Sequence, residues 1–188
     1  MIINPYRYAD GGSEVSSDFV FTIRTTSVDE TISLASSSSY SYNATIDWGD
    51  GSPVANITAH GDSDQSHVFA TPGDYTVTIS GEYPYISIPN NTLVSINEST
   101  HEFESFSSSF RYGLYTSFPQ LNLSSCTAIN IMCYASTSLL EVLMTDFGSI
   151  VRCDAAWQNC TNLVDFPVFS APNCARYTTA WSGCNSLS

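Results

Sequence analysis

The chain has 188 residues, a formal net charge of −13 and five basic residues, all of them arginine. A protein with this charge repels phosphate backbones and anionic lipid headgroups, which argues against binding to nucleic acid or to a membrane surface. The hydrophobic fraction of 43% is sufficient for a buried core, but no apolar run reaches the roughly 18–20 residues that a membrane span needs.

The chain begins with a polar arm, residues 1–14, that contains glycine and shows no hydrophobic periodicity. The arm has neither the basic region nor the apolar region of a secretory signal. Either the chain is a mature form or it is not exported by that route, and the retained Met1 favours the second alternative. Because aromatic residues and arginine dominate interface hot spots, Tyr6, Arg7 and Tyr8 are the candidate docking residues.

Residues 15–82 show short runs of alternating apolar and polar residues that are separated by turns. Gly49-Asp50-Gly51 ends one such run, because glycine adopts positive φ without steric cost. Several short strands with turns between them predict a small β-sandwich. The candidate strands are DFVFTIRT (18–25), TISL (31–34), NATIDW (43–48) and the two halves of HVFATPGDYTVTISG (67–81).

This segment resembles a PKD domain, which has an immunoglobulin-like (Ig-like) fold. Members show a W-G-D-G turn followed by an H-x-Y/F strand and a G-x-Y-x-V strand, and the matching residues here are Trp48, Gly49, Asp50, Gly51, His67 and Tyr75. The resemblance implies that Trp48 fills the centre between two sheets. It also implies that Tyr75 hydrogen-bonds back to a neighbouring backbone group.

Residues 83–188 repeat with a period of 24, as AWQNCTNLVDFP (156–167) and AWSGCNSLS (180–188) show most clearly. Such self-similarity, with leucine at fixed offsets, predicts a leucine-rich-repeat-type solenoid in which equivalent side chains stack into one core. The expected columns are Cys133, Trp157 and Trp181; Leu139, Leu163 and Leu187; Phe118, Val142 and Phe166; and Cys160 and Cys184. We expect the six cysteines to be reduced core residues, and the lack of a Cys-x-x-Cys pair disfavours zinc.

The order of sandwich, junction and repeats resembles BspA-like leucine-rich-repeat surface proteins over about residues 19–188. In that family, W-x-x-C-x-x-L-x-x-F-P units follow a PKD-like sandwich, and ISGEYPYISIPNNTLVSI (79–96) resembles the junction. The expected fold is therefore mainly β, a small Ig-like/PKD β-sandwich followed by a short solenoid. The last unit ends before its Phe-Pro element, so we expect the end of the array to be covered by more repeats or by a partner.

No catalytic motif is visible, and we expect a protein that is not an enzyme. His67 is expected to pack in a strand, whereas His60, His101 and the junction glutamates are expected to be solvated. Asp47, Asp50 and Asp74 lie in or beside turns, where clustered carboxylates can hold calcium. The favoured alternative is that these aspartates cap their turns, so no cofactor is firmly expected.

Two function classes fit these features. The first is a virion structural protein of a tailed phage, because MIINPYRYADG resembles the short Asn-Pro-Tyr-Arg starts of phage appendage proteins. Such a fibre, decoration or adaptor component would assemble in the host cytoplasm and be exposed on the particle. Its partners would be other virion proteins, copies of itself, or a host surface protein or glycan. The alternative is a bacterial cell-surface adhesin of the BspA type, for which a signal sequence is expected and none is visible.

Overall fold

The computed structural model describes residues 17–168 and 170–187, and within these ranges the chain is mainly β with no α-helix. Most of the paired strands are antiparallel. The strands are β1 (Phe19–Thr25), β2 (Glu30–Ser33), β3 (Asn43–Asp47), β4 (Ala55–Ile57), β5 (Ser66–Phe69), β6 (Gly73–Glu82), β7 (Leu93–Ile96), β8 (Ser117–Phe118) and β9 (Glu141–Val142), with a 3-10 turn at Ser63–Gln65.

Five strands form one antiparallel sheet in the order β4-β3-β6-β1-β7. The alternation in β1 places Phe19, Phe21 and Ile23 on the buried face at 0% exposure, whereas Arg24 is exposed. The alternation predicted for residues 18–25 is therefore confirmed. Strands β4 and β7 were not identified from the sequence, because neither segment shows a clear two-residue period.

β2 and β5 form a separate two-stranded antiparallel sheet. Phe69 of β5 is fully buried and meets Trp48, at the end of β3, edge-on with 6.0 Å between the ring centroids. The Trp48 side chain is 2% exposed, so the two antiparallel sheets share one apolar core around this indole. Burial of one such large side chain contributes roughly 1.5–3 kcal/mol.

After β7 the chain forms successive coils whose backbones lie side by side. Parallel bridges join Ala128 to Arg152 and Arg152 to Arg176, so the bridged residues are 24 apart. β8 and β9 are parallel in the same register, with Phe118 opposite Val142. The period seen in the sequence is therefore the residue spacing between the later coils, whereas the parallel bridges nearer the sheet, from Tyr85 to Ser105 and from Ser105 to Ala128, join residues 20 and 23 apart.

Backbone hydrogen bonds connect these coils through turns of unusual conformation. The N–H of Cys133 donates to the carbonyl of Ala156 at 2.7 Å, and equivalent bonds recur one coil later. Left-handed residues lie at repeated positions in these turns, such as Ala155 and Thr179 with φ of 54° and 56°. This conformation costs about 1–2 kcal/mol at a non-glycine residue, so hydrogen bonds between coils stabilise turns that an isolated coil disfavours.

The sheet and the coils share a continuous core. Strand β7 (Leu93–Ile96) pairs with β1, although its residues lie in the range 83–188 that the sequence assigns to the repeats. Phe19 of β1 also contacts Phe103 and Phe110 of the first coil, with ring centroids 4.9 Å and 6.2 Å apart. The first coil therefore packs directly against the buried face of the five-stranded sheet.

Two glycines of the turn after β3 provide a matched test of this packing. Gly49 has a φ of 77°, and an added Cβ would overlap the carbonyl oxygen of Thr76 on β6. Gly51 has a φ of 82°, but a Cβ there would meet nothing within 4 Å. We expect Gly49→Ala to lower the free energy of unfolding by about 3 kcal/mol, because steric overlap adds to the left-handed backbone cost.

Gly51→Ala adds no steric overlap and places alanine only in the disfavoured left-handed conformation. We therefore expect it to lower the free energy of unfolding by about 1–2 kcal/mol. Urea unfolding of both variants measures the difference. Equal losses in the two variants would show that β6 does not approach Gly49 as closely as described.

Candidate functional site

The turn aspartates that could hold calcium are engaged by separate protein groups. Asp47 accepts the N–H of Gly49 at 2.9 Å and so caps its turn. Asp74 forms two hydrogen bonds with Arg24, at 2.7 and 2.8 Å. Among residues 17–168 and 170–187, no group of three or more His, Cys, Asp or Glu side chains is placed to hold a metal ion.

Asp50 pairs with His67 beside Trp48. The carboxylate lies 2.7 Å from Nε2 of the imidazole, which stacks on the indole with 5.2 Å between centroids and 14° between planes. Burial opposes ionisation of Asp50, but hydrogen bonds from Ser52 and His67 outweigh it and lower the pKa of Asp50 to about 2. The ionised carboxylate therefore orients the ring of His67, whose packing in a strand is confirmed.

Tyr75 ties the start of β6 to the preceding turn. Its hydroxyl donates to the carbonyl of Thr71 at 2.7 Å, and its ring lies 4.4 Å from that of Phe69. The hydroxyl thus forms the backbone hydrogen bond that the sequence predicted.

A cleft of about 820 Å³ lies where the first coil meets the sheet. Its lining includes His101 and the exposed side chains of Glu82, Glu102 and Glu104. The sequence predicted solvated side chains in this junction, which is right for the glutamates. The prediction is wrong for His101, which is only 5% exposed.

Backbone carbonyls lie beside both ring nitrogens of the buried His101 side chain, and a neutral imidazole donates a hydrogen bond to one of them. Nδ1 lies 3.2 Å from the carbonyl of Ser17, and Nε2 lies 3.2 Å from the carbonyl of Tyr83. The ring also packs against Phe103 at 4.5 Å between centroids. Burial lowers the pKa of His101, although the two carbonyls and nearby carboxylates oppose this shift.

The lowered pKa of His101 predicts how stability depends on pH. The unfolded chain takes up a proton on this side chain near the ordinary pKa of 6.5, whereas the folded protein keeps the ring neutral to lower pH. The free energy of unfolding that depends on the neutral His101 ring is therefore largest above the pKa of the unfolded chain. It decreases as the pH falls below that pKa and on through the lower pKa of the folded protein. We expect the melting temperature to drop from about pH 7 to about pH 5, and to drop less in His101→Gln.

His60→Gln is the matched control, because it removes an exposed histidine and leaves the buried imidazole of His101 in place. Differential scanning fluorimetry over this pH range provides the measurement. If the melting temperature of His101→Gln depends on pH as strongly as that of the wild type, the burial of a neutral imidazole is contradicted.

Equivalent residues of successive coils stack in the repeat core. The rings of Trp157 and Trp181 stack with centroids 5.4 Å apart and planes 16° from parallel. Leu139 and Leu163 lie in one column and are both 0% exposed. Burial decreases in the last coil, where the half-buried core residues are Trp181, Cys184 and Leu187.

The six cysteines are free thiols, and four of them are buried. The thiol of Cys160 donates to the carbonyl of Cys133 at 3.0 Å, and the thiol of Cys184 makes the equivalent contact with Trp157, also at 3.0 Å. Burial, reinforced by the neighbouring Cys184, raises the pKa of Cys160 to about 12. This thiol therefore stays protonated and acts as a small core residue, as the sequence predicted.

Apolar side chains also form a stripe on the outside of the coils. Leu140, Leu143 and Val164, the exposed stripe, are 44%, 44% and 52% exposed. Leu140 and Val164 are equivalent residues, joined by a hydrogen bond of 2.9 Å from the N–H of Val164 to the carbonyl of Leu140. A parallel bridge places Glu141 beside Asp165, so an acidic column borders the stripe.

The sequence interpretation considered only the inward-facing columns and so missed the exposed stripe. The pattern that reveals it is an apolar residue at 140 and at 164, one position after each buried leucine of the core column. The candidate docking residues Tyr6, Arg7 and Tyr8 lie outside the described residues.

The chain was compared with known proteins at three levels. No protein-family model, curated protein or solved structure matches it. In the part of the chain that the structure describes, no helix is long and apolar enough to cross a membrane.

Proposed function

We propose that this protein is a non-enzymatic virion structural protein, a fibre, decoration or adaptor component of a tailed phage. It docks on the particle through its N-terminal arm and displays the coils for binding. The observation that supports this function most directly is the exposed stripe, in which Leu140 and Val164 occupy equivalent positions of neighbouring coils. Contiguous exposed apolar residues are typical of protein interaction surfaces, and stacked repeats present such surfaces in extended form.

The proposed architecture is a PKD-like, Ig-like β-sandwich followed by a short leucine-rich-repeat-type solenoid. Two antiparallel sheets that share a core around Trp48 support the sandwich. Parallel bridges between residues 24 apart support the solenoid. In this arrangement the sandwich spaces the coils away from the particle, and the shared core around Phe19 couples the two parts mechanically.

The chemistry around the stripe indicates the kind of partner that it binds. Glu141 and Asp165 border the apolar side chains, and the chain as a whole has a net charge of −13. A complementary partner has an apolar patch with a basic rim, because opposite potentials speed encounter and suppress wrong partners. The candidate partners are other virion proteins, copies of this chain, and a host surface protein or glycan.

The alternative function is a bacterial cell-surface adhesin of the BspA type. The same exposed stripe would then bind a host or matrix protein, and the arm would not be needed for particle assembly. Immunogold labelling distinguishes the two classes, because the virion function predicts label on purified particles and the adhesin function predicts label on the cell envelope.

Deletion of residues 1–12 tests the docking part of the proposal. We expect the truncated protein to fold with a nearly unchanged melting temperature but to be missing from purified particles. The triple variant Tyr6→Ala, Arg7→Ala and Tyr8→Ala should lower incorporation by at least about tenfold, because hot-spot side chains supply most of the binding energy. Quantitative immunoblots of particles provide the measurement, and normal incorporation of the truncated protein would rule out docking through the arm.

The double variant Leu140→Thr and Val164→Thr tests the display surface. Thr116 occupies the equivalent position of the preceding coil, so the substitutions should preserve folding. We expect particle adsorption to host cells to fall about tenfold, because burial of two partly exposed side chains is lost.

Val151→Thr is the matched control for this variant. Val151 is also exposed, at 43%, and it follows Thr127 in a different column of the coils. Adsorption of this variant should equal that of the wild type. Equal losses in the two variants, or no loss in either, would argue against binding at the exposed stripe.

A further inference from the structure

Two thiols of neighbouring coils are in direct contact. The Sγ atoms of Cys153 and Cys174 lie 3.0 Å apart, and both cysteines are free. Other thiols contact backbone carbonyls, for example from Cys126 to Ala128 and from Cys160 to Cys133, and the thiol of Cys133 contacts the hydroxyl of Tyr115. Among residues 17–168 and 170–187, Cys153 and Cys174 are therefore the pair whose sulfur atoms already face each other.

The preceding repeat has aliphatic residues at the positions equivalent to Cys153 and Cys174. Counting back 24 residues from Cys153 and Cys174 leads to Ile129 and Ile150, which are 0% and 1% exposed. An aliphatic pair therefore satisfies the packing at this place in the array. The next repeat holds Cys153 and Cys174 in place of that pair, two residues whose distinguishing property is redox chemistry.

A small reagent has access to this pair. A cavity of about 290 Å³ adjoins the thiols and is lined by Cys153, Ala171, Cys174, Tyr177 and Trp181. Cys174 is half-buried, whereas Cys153 is 6% exposed. Burial is the main cause that raises the pKa of Cys153 to about 12, and the adjacent Cys174 adds to it. Cys174 is therefore the thiol that reacts first with a reagent in the cavity, and Cys153 is the resolving thiol.

We propose that Cys153 and Cys174 form a disulfide when the protein meets a small-molecule disulfide oxidant, and that this bond links two neighbouring coils covalently. The Cys174 thiolate attacks one sulfur of the oxidant, the sulfur–sulfur bond of the oxidant breaks, and one reagent thiol leaves. Cys153 then gives its proton to solvent and attacks the Cys174 sulfur, and the second reagent thiol leaves. Two cysteine thiols are oxidised while one reagent disulfide is reduced to two thiols.

The bond encloses most of one 24-residue repeat, including Trp157, Cys160 and Leu163. Closing this loop restricts the unfolded chain and so favours the folded coil. A protein that folds with reduced thiols and then enters an oxidising environment would gain stability where the coils are least buried. This proposal goes beyond the virion function and holds for the adhesin alternative as well.

Intact mass spectrometry of the full chain, incubated with oxidised glutathione, tests the proposal. We expect the mass to fall by two hydrogen atoms and the melting temperature to rise by about 5–10 °C. Cleavage after arginine and aspartate separates Cys153, Cys160 and Cys174 onto different peptides, so the linked pair can be identified. A stable glutathione adduct on Cys174, or a bond that involves another cysteine, would overturn the proposal.

The matched variant carries Cys153→Ile and Cys174→Ile, which restores the pair of the preceding coil. It should fold in the reduced state and show no shift in melting temperature with oxidant. Cys174→Ala provides a second variant with the same expectation if the two isoleucines pack poorly. Cys126→Ile is the control, because Ile150 occupies the equivalent position one coil later. Oxidant should raise the melting temperature of this variant as much as it raises that of the wild type. A wild-type shift in Cys174→Ala would also overturn the proposal.

Discussion

Backbone hydrogen bonds between neighbouring coils are the interaction on which the array depends. Each coil donates N–H groups to the next, as Cys153 does to Arg176 at 2.8 Å and Trp157 does to Ala180 at 2.9 Å. These bonds fix the register between coils. In this register Trp157 stacks on Trp181, and Leu139 lies in the same column as Leu163. A slip by one residue would disrupt all the columns together, because the same hydrogen bonds position each of them.

The features that the sequence predicts correctly are those encoded in local patterns. The two-residue period of β1, the glycine turn after Trp48 and the 24-residue spacing of the coils are all visible in the residues themselves. The features that it misses depend on partners far along the chain. The buried His101 lies beside carbonyls that are 84 and 18 residues away along the chain, and the exposed stripe becomes visible only when inward and outward columns are separated.

The contacts between the sheet and the first coil bear on how the chain can be divided. A cut after residue 82 would remove β7 from the edge of the sheet and expose Phe19, which packs against Phe103 and Phe110. The change in sequence pattern near this residue therefore marks a change of local structure rather than a break in the core. The burial of His101 follows from the same contacts, since its acceptors come from the sheet side of the junction.

The stacked indoles of Trp157 and Trp181 have an optical consequence. Two indoles 5.4 Å apart couple their electronic transitions, and the circular dichroism of this pair depends on their relative orientation, so it changes when the coils unfold. Trp48, the third tryptophan, stacks instead on the imidazole of His67 in the sheet. The two halves of the molecule thus carry different native chromophores, and their unfolding can be followed separately without an added label.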